Sequence, residues 1–151
     1  MINVWRIKEA AKLPERMTDG SVGYDICSAA DYLLRVGDFV IIKTGLVVKP
    51  PDGYHFEIAL RSSIPKKKGL LIPNGIGIID QDYCGEGDEL GIPVFKFRAG
   101  TEDEANLACI EEGERIAQLL LRKSHVPEVF DCSSYPFLDK GRGGFGSTGG
   151  K

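Results

Sequence analysis

Helix-breaking residues recur along the whole chain and constrain its fold more than any other feature. There are 19 glycines and 8 prolines in 151 residues, which places a breaker at roughly every fifth or sixth position. Long helices are therefore excluded. With a mass of 16.5 kDa and 42% apolar residues, the chain has the size and composition of one globular domain with a buried core.

Short apolar runs between these breakers predict β-strands. They are rich in Val, Ile, Phe and Tyr, and turn residues such as Pro50-Pro51-Asp52-Gly53 end them. The most regular run, Tyr54–Leu60, alternates large apolar residues with polar or small ones, as a half-buried strand does. The predicted strands are 38–43, 45–49, 54–60, 76–79 and 93–97.

Two segments have helical features. Residues 9–17 are rich in Ala, Leu and Glu but contain Pro14, and residues 114–123 carry apolar side chains at helical spacing. Because its surroundings are strand-like, we predict that the segment 114–123 is a strand. The charged runs 66–68 and 100–104 are predicted to be a solvated basic loop and a solvated hairpin end.

Charge and cysteine content restrict the partners and the compartment. The net charge of -3 and the pI of about 5.4 argue against nucleic acid or an anionic membrane as a partner. The four cysteines, at positions 27, 84, 109 and 132, lack the spacing of a zinc site and are predicted to be free thiols. There is no signal arrangement at the N-terminus, so we expect a cytoplasmic location, or the nucleus or host-cell interior for a eukaryotic or viral protein.

The last eleven residues cannot form a core. Residues 141–151 contain six glycines, and a flexible linker is one interpretation. However, the segment also carries Arg142, Phe145, Ser147 and Thr148, which together supply a charge, a stacking face and two hydroxyls. These groups suit a clasp that closes on a phosphate and a ring. From chemistry alone, both interpretations stay open.

Polar chemistry is concentrated around the predicted strand 76–79. Asn74 offers a donor and an acceptor that match the edge of an amide-like base, and Gly77 allows a ligand close to the backbone. Asp80 ends the apolar run and is placed to activate a water as general base. Ordinary turns would explain the same residues.

A second polar group follows the strand that ends at Leu60. Arg61 and the hydroxyls of Ser62 and Ser63 suit phosphate, although a turn at the end of the strand is an equally good explanation. The histidines at positions 55 and 125 lie beside no evident nucleophile, and we expect neither to be catalytic. Cys84 likewise has no base partner in the sequence.

In order along the chain, these pieces resemble the five motifs of the homotrimeric dUTPases, the deoxyuridine triphosphate nucleotidohydrolases. The resemblance covers residues 20 to 149. The matching motifs are Gly23-Tyr24-Asp25-Ile26 with Ala29, Arg61-Ser62-Ser63, Asn74 through Tyr83 with Gly85-Glu86, residues 113–119, and residues 143–149.

The resemblance implies a fold and an activity. The fold is all-β, a jelly-roll or β-clip barrel of short strands over residues 1–139, with a flexible arm at 140–151 that closes over the active site. The activity is Mg²⁺-assisted hydrolysis of dUTP to dUMP and pyrophosphate, which keeps uracil out of DNA and supplies dUMP for dTMP synthesis. Three chains share each site in such a homotrimer, and dUTP is the expected partner.

The resemblance also implies residue roles. Asp80 is the catalytic base, Tyr83 packs under the deoxyribose, and Asn74 with the backbone near Gly77 and Ile78 reads the uracil edge. The residues implied in contacts with the phosphates and the base are Arg61, Ser62, Ser63, Gln118, Lys140, Arg142, Phe145, Gly146, Ser147 and Thr148. Asp25 is implied to contact the waters of Mg²⁺, which substrate phosphates hold.

Two alternatives remain at this stage. A dCTP deaminase of the same superfamily would use a glutamate on the ring amine, and Glu86 and Glu89 lie near the third motif. A trimeric β scaffold that binds nucleotide without turnover is the other. The joint presence of Asp80, Gln118 and Phe145 favours catalysis over a pure binder.

Overall fold

The structure is a computed structural model and describes residues 1–104 and 106–131. Eleven strands and one short helix make up this part of the chain. In order, they are β1 Asn3–Arg6, β2 Gly23–Cys27, β3 Tyr32–Arg35, β4 Phe39–Lys43, β5 Leu46–Lys49, β6 Tyr54–Leu60, α1 Ile64–Lys68, β7 Leu70–Leu71, β8 Gly77–Ile79, β9 Gly91–Lys96, β10 Leu107–Ile110 and β11 Arg115–Lys123.

The strands pair antiparallel throughout. The largest sheet has the order β2-β11-β6-β8, a second has the order β4-β9-β7, and β1 with β5 and β3 with β10 form two-stranded ribbons. Non-consecutive strands are thus neighbours in each sheet, as in a jelly roll. The prediction of an all-β fold is confirmed. In the described residues, no helix has the length and apolar character to span a membrane.

The core lies between these sheets, and the strand patterns explain why. The alternation seen in β6 places Phe56 and Ile58 fully inside, and β9 does the same with Ile92 and Val94. Each such side chain contributes about 1.5–3 kcal/mol by leaving water. Segment 114–123 is strand β11, as predicted, with a bulge between Arg115 and Ala117.

The helix candidate at residues 9–17 was wrong. No helix forms there, and Glu15 instead makes an isolated antiparallel bridge with Asp25. Pro14 accounts for the difference, because it has no N–H and disfavours helical geometry at the residue before it. The chain therefore runs alongside β2 and covers Asp25.

The predictions for the charged runs were right about solvation at most positions and wrong in two respects. Residues 66–68 belong to helix α1 rather than to a loop; the helix has a proline in its first turn and ends at Gly69 with φ 60°. Lys66 and Lys67 are exposed, whereas Lys68 pairs with Glu114 at 3.0 Å. In the acidic run Glu102 and Glu104 are exposed, but Asp103 is almost completely buried against Lys96. Nothing in the sequence indicates this burial, because a run of acidic residues is usually solvated.

Candidate active site

Three of the motifs meet at one end of the largest sheet. The β2–β11 register sets Asp25 opposite Gln118, and the Gln118 Nε2 atom donates to Asp25 Oδ1 at 3.1 Å. Arg61 follows β6 directly, and its Nε lies 3.2 Å from Asp25 Oδ2. Arg115 approaches the same oxygen at 3.6 Å. The strand pairing therefore joins residues that are up to 93 positions apart.

Burial gives this group its electrostatic character. The Asp25 side chain is 3% exposed, whereas those of Arg61 and Arg115 are 31% and 40% exposed. A buried carboxylate needs compensating charge, so Asp25 fixes the two guanidinium groups while leaving N–H donors facing outward. The Oδ2 atom of Asp25 is buried and makes no hydrogen bond of good geometry among the described residues, but it faces both guanidinium groups and is balanced by their charge.

The two serines after Arg61 are available for a ligand. Ser62 is exposed. Ser63 occupies the N-cap position of α1 without making a side-chain capping bond, although serine at this position commonly caps the helix. Arg61, Ser62 and Ser63 thus present a cation and two hydroxyls on one turn.

The third motif lies on the opposite edge of the same sheet. Among the residues that the structure describes, strand β8 pairs with β6 alone. Gly77 is buried against β6, so closely that an added Cβ would lie 3.3 Å from Ile58 Cβ. Asn74 is exposed in a turn that Gly75 completes with φ 83°. Asn74 and Ile78, on either side of Gly77, are both exposed to solvent.

Beyond β8, the chain forms one wall of a groove. Asp80 and Tyr83 are exposed, and they line a groove of about 280 Å³. The other lining residues are Ile41, Lys43, Ile78, Ile79, Glu89, Gly91 and Pro93. The Tyr83 hydroxyl donates to the Glu89 carbonyl oxygen at 3.2 Å. The exposed carboxylate of Asp80 and one aromatic ring thus share an open, partly apolar recess, which Glu89 also lines.

The structure does not bring the two groups together within one chain. Asp25 is on β2 and Gly77 on β8, three strand spacings apart in the sheet order, which is about 14 Å. Within residues 1–104 and 106–131, no hydrogen bond or ion pair joins Asp80 or Tyr83 to Asp25, Arg61 or Gln118. The cluster around Asp25 and the groove around Asp80 are therefore separate features of the described part of one chain.

Sequence reasoning missed Arg115 and Lys43, and it considered Glu89 only as the glutamate of a deaminase. Arg115 stands inside the fourth motif, but a spacing of three residues from Gln118 puts two strand side chains on opposite faces, and the bulge between Arg115 and Ala117 that changes this is not visible in the sequence. Lys43 and Glu89 reach the groove through the pairing of β4 with β9 and the loop before β9. No local pattern marked Lys43.

Other candidates from the sequence have structural partners. His55 Nδ1 hydrogen bonds to Ser124 Oγ at 2.9 Å, and Cys84 Sγ donates to the Gln81 carbonyl at 3.4 Å. Cys27, Cys84 and Cys109 are free thiols, and burial raises the pKa of the Cys27 thiol. Cys132, Lys140, Arg142 and residues 145–148 lie outside the described residues.

The chain resembles known proteins over nearly its whole length. The family model dUTPase matches residues 9–149. The deoxyuridine 5'-triphosphate nucleotidohydrolase of Leptospira interrogans is 38% identical over 151 residues, which is 98% of each chain. The solved dUTPase of Staphylococcus bacteriophage 80alpha, in complex with dUPNHPP, has a TM-score of 0.84 and 29% identity and covers 99% of this chain and 98% of its own.

A second solved structure concerns a metal. It is a mutant dUTPase from phage phi11 of S. aureus, with a TM-score of 0.79 and 27% identity, covering 91% of this chain and 99% of its own. That structure describes the coordination of a structural Mg(II) ion.

Proposed function

This chain belongs to the dUTPase family, and on that premise we propose that it hydrolyses dUTP to dUMP and pyrophosphate. The observation that carries the proposal is the groove that Asp80 and Tyr83 line together, because it sets a general base beside a ring that can pack on a sugar. Such an activity removes dUTP before uracil enters DNA and supplies dUMP for dTMP synthesis.

Asp80 acts as the general base in this proposal. Its exposed carboxylate takes a proton from a water whose oxygen attacks the α-phosphorus, and the bond between that phosphorus and the bridging oxygen of pyrophosphate breaks. No covalent intermediate forms. Exposure suits the role, because the carboxylate is accessible to water in the open groove.

The cluster of Asp25, Arg61 and Gln118 neutralises the charge of the triphosphate. Asp25 holds the Arg61 guanidinium at 3.2 Å and the Gln118 amide at 3.1 Å, so both donors are oriented before substrate arrives. The remaining N–H groups of Arg61 and the hydroxyls of Ser62 and Ser63 are offered to phosphate oxygens. Because the donors are fixed in advance, little side-chain entropy is lost on binding.

Recognition of the nucleoside is assigned to the third motif. Asn74 and the backbone at Gly77 and Ile78 read the uracil edge, and cytosine is rejected because its donor and acceptor are exchanged. Tyr83 packs under the deoxyribose and excludes a 2′-hydroxyl. In this proposal Phe145 stacks on uracil, and the arm residues Lys140, Arg142, Gly146, Ser147 and Thr148 contact the phosphates.

The residues present fit Mg²⁺ held mainly by substrate. In the described residues no three His, Cys, Asp or Glu side chains converge on a common point. The Asp25 carboxylate is 3% exposed and faces Arg61, Arg115 and Gln118, so it lies behind the phosphate-binding donors and offers no open ligand position of its own. Mg²⁺ usually keeps several waters and binds through substrate phosphates with few carboxylates. When bound, the ion withdraws charge from the triphosphate and orients it.

We further propose a homotrimer in which one chain supplies the Asp80 motif, a second supplies Arg61, and a third lends the arm. The separation of the two groups on opposite edges of one sheet supports this division. Free thiols at Cys27, Cys84 and Cys109 support a reducing, intracellular compartment.

A substrate panel tests the activity. Pyrophosphate release is measured with dUTP, dCTP, dTTP and UTP, each with Mg²⁺ and with a chelator. We expect Mg²⁺-dependent release from dUTP alone. Release from dCTP with ammonia would identify a deaminase instead, and no release from any of the four would make the chain a non-catalytic scaffold.

Mixing two inactive variants tests the shared site. Asp80→Asn and Arg61→Ala chains are refolded separately and together, so that mixed trimers form only in the second case. We expect activity to return in the mixture, because some sites then combine a wild-type Asp80 with a wild-type Arg61. A mixture as inactive as the separate variants would refute the sharing but not the hydrolysis.

A further inference from the structure

The carboxylate of Glu89 is fixed by several contacts, although Glu89 belongs to none of the five motifs. It lies between β8 and β9, and its side chain is only 10% exposed. Its Oε1 accepts the Gly45 N–H at 2.8 Å and lies 3.2 Å from Lys8 Nζ. Its Oε2 lies 3.6 Å from Lys43 Nζ. One carboxylate therefore ties this loop to two other segments, the chain after β1 and the turn between β4 and β5.

The partner backbone is shaped to receive this carboxylate. Gly45 has φ 67°, and a Cβ there would lie 2.8 Å from Ala11 Cβ, so only glycine fits the turn between β4 and β5. Adjacent bonds continue the attachment. The Leu90 N–H donates to the Leu46 carbonyl at 2.7 Å, and Thr44 Oγ1 donates to the Leu90 carbonyl at 2.7 Å. The end of the loop is thus fixed to a rigid turn.

The fixed backbone in turn holds Tyr83. The carbonyl oxygen of Glu89 accepts the Tyr83 hydroxyl at 3.2 Å, while the ring remains 41% exposed beside Asp80 in the groove. A half-exposed tyrosine has few other restraints on its ring. The hydroxyl bond therefore selects one orientation of the ring in the groove.

Glu89 is in the ionised form that its contacts with Lys8, Lys43 and the Gly45 N–H need. Burial alone would raise the pKa of its carboxyl, but the Gly45 N–H bond and the charges of Lys8 and Lys43 outweigh it and lower the pKa. The carboxylate therefore stays ionised at neutral pH. An ionised Glu89 carboxylate with three partners has no proton to donate. It is therefore unsuited to the acid–base step that a deaminase performs on the ring amine.

We propose that Glu89 is the positioning residue for Tyr83: its carboxylate anchors the loop, and its carbonyl oxygen sets the ring angle that discriminates deoxyribose from ribose. This inference rests on the proposed function, because it deepens the role given there to Tyr83. Glu89 touches no reacting atom and acts only through the tyrosine.

The test compares Glu89→Ala and Tyr83→Phe, which remove the anchor and the hydroxyl respectively. Values of kcat and KM are measured for dUTP and UTP, with Glu9→Gln as control, since Glu9 is exposed and adjacent to Lys8 but outside the groove. We expect both variants to raise KM for dUTP and to reduce the preference for dUTP over UTP by about tenfold each. The double variant should add little to either, because the two residues act as one unit. The control should match the wild type.

Hydrogen exchange of the full-length protein separates positioning from folding. Peptides covering residues 79–90 should exchange faster in Glu89→Ala. Faster exchange with unchanged KM and unchanged preference would overturn the proposal and leave Glu89 a purely structural residue. If Glu89→Ala does not fold, Glu89→Gln keeps an acceptor for Gly45 and should shift both quantities less, in the same direction.

The two proposals fail in different ways. A wild-type protein that releases no pyrophosphate from dUTP refutes the proposed function, and the role of Glu89 with it. An active wild type in which Tyr83→Phe leaves the preference unchanged refutes the role of Glu89 alone.

Discussion

Lys96 and Asp103 form an ion pair in which the side chains are 0% and 2% exposed, with 2.5 Å between Lys96 Nζ and Asp103 Oδ2. The ammonium also donates to the carbonyl oxygens of Lys68 and Arg98 at 3.1 Å, and Asp103 Oδ2 accepts the Gly100 N–H at 2.7 Å. The pair therefore joins β9, the end of α1 and the turn at 100–104.

We predict that Asp103→Asn lowers the free energy of unfolding by about 3–5 kcal/mol, because it leaves the Lys96 charge buried without a counterion. Urea denaturation at neutral pH measures the change. Glu102→Gln is the matched control, since the Lys67–Glu102 pair is 48% exposed on both sides and should contribute no more than about 1 kcal/mol. Equal effects of the two substitutions would contradict the prediction.

The same pair predicts a pH dependence of stability. Burial by itself would raise the pKa of the Asp103 carboxyl, but the bonds from Lys96 and Gly100 and the nearby charges outweigh it and lower the pKa. A lowered pKa means that the stabilisation is fully present above the unfolded carboxyl value of about 3.9 and is lost as the pH falls through the folded value. The unfolding free energies of wild type and Asp103→Asn should therefore converge below pH 4. A constant difference down to pH 2 would contradict this.

Local patterns predicted the strands well, but not the charge partners. The alternation in Tyr54–Leu60 identified β6 and its inward residues because each depends only on its immediate neighbours. The burial of Asp103 depends on Lys96 and on the end of α1, which strand pairing brings together. Without knowledge of that pairing, a run of acidic residues is expected to be solvated, so the sequence predicted that Asp103 is exposed.

The candidate site likewise contains residues that local sequence patterns marked and residues that only the fold brings there. The sequence singled out Asp80, Tyr83 and Asn74 as candidates because their motif is contiguous, and the structure brings Asp80 and Tyr83 into one groove. Lys43 was missed, and Glu89 was considered only for a deaminase, because the pairing of β4 with β9 is what brings both to the groove. The contact of Asp25 with Arg61 was likewise not expected, because the sequence assigned Asp25 to metal-bound water alone.

Alanine substitutions at Gly69 and Gly53 test how closely the end of α1 approaches the backbone at Arg98. Gly69 has φ 60°, and a Cβ there would lie 1.9 Å from the Arg98 carbonyl oxygen, whereas Gly53 has φ 77° with nothing within 4 Å. Gly53→Ala should cost about 1 kcal/mol of unfolding free energy from backbone strain alone. Gly69→Ala should cost at least about 2 kcal/mol more, because the backbone at Arg98, just after β9, must move. Thermal denaturation of both variants would reveal this order, and equal losses would show that the approach is not tight.

Removal of Arg61 should cost both stability and substrate affinity. Arg61→Ala leaves Asp25 buried with only Gln118 and the more distant Arg115, and we expect a loss of about 1–3 kcal/mol of unfolding free energy. Arg122→Ala is the control, since the Arg122 side chain is 58% exposed in its pair with Glu57 and should cost less than about 1 kcal/mol. KM for dUTP should rise only in Arg61→Ala. A rise in both variants would indicate a general effect of charge rather than a phosphate contact.

Asp80→Asn gives the most direct test of the general base. The substitution keeps size and hydrogen bonding but removes the proton acceptor, so kcat for dUTP should fall by at least about a hundredfold. Because Asp80 is exposed, the free energy of unfolding should stay within about 0.5 kcal/mol of the wild type, and nucleotide affinity measured by calorimetry should persist. Asp52→Asn, in the exposed turn before β6, removes the same charge and should leave kcat unchanged. Near-normal turnover in Asp80→Asn would assign the base to another residue, whereas a parallel loss in Asp52→Asn would trace the effect to net charge.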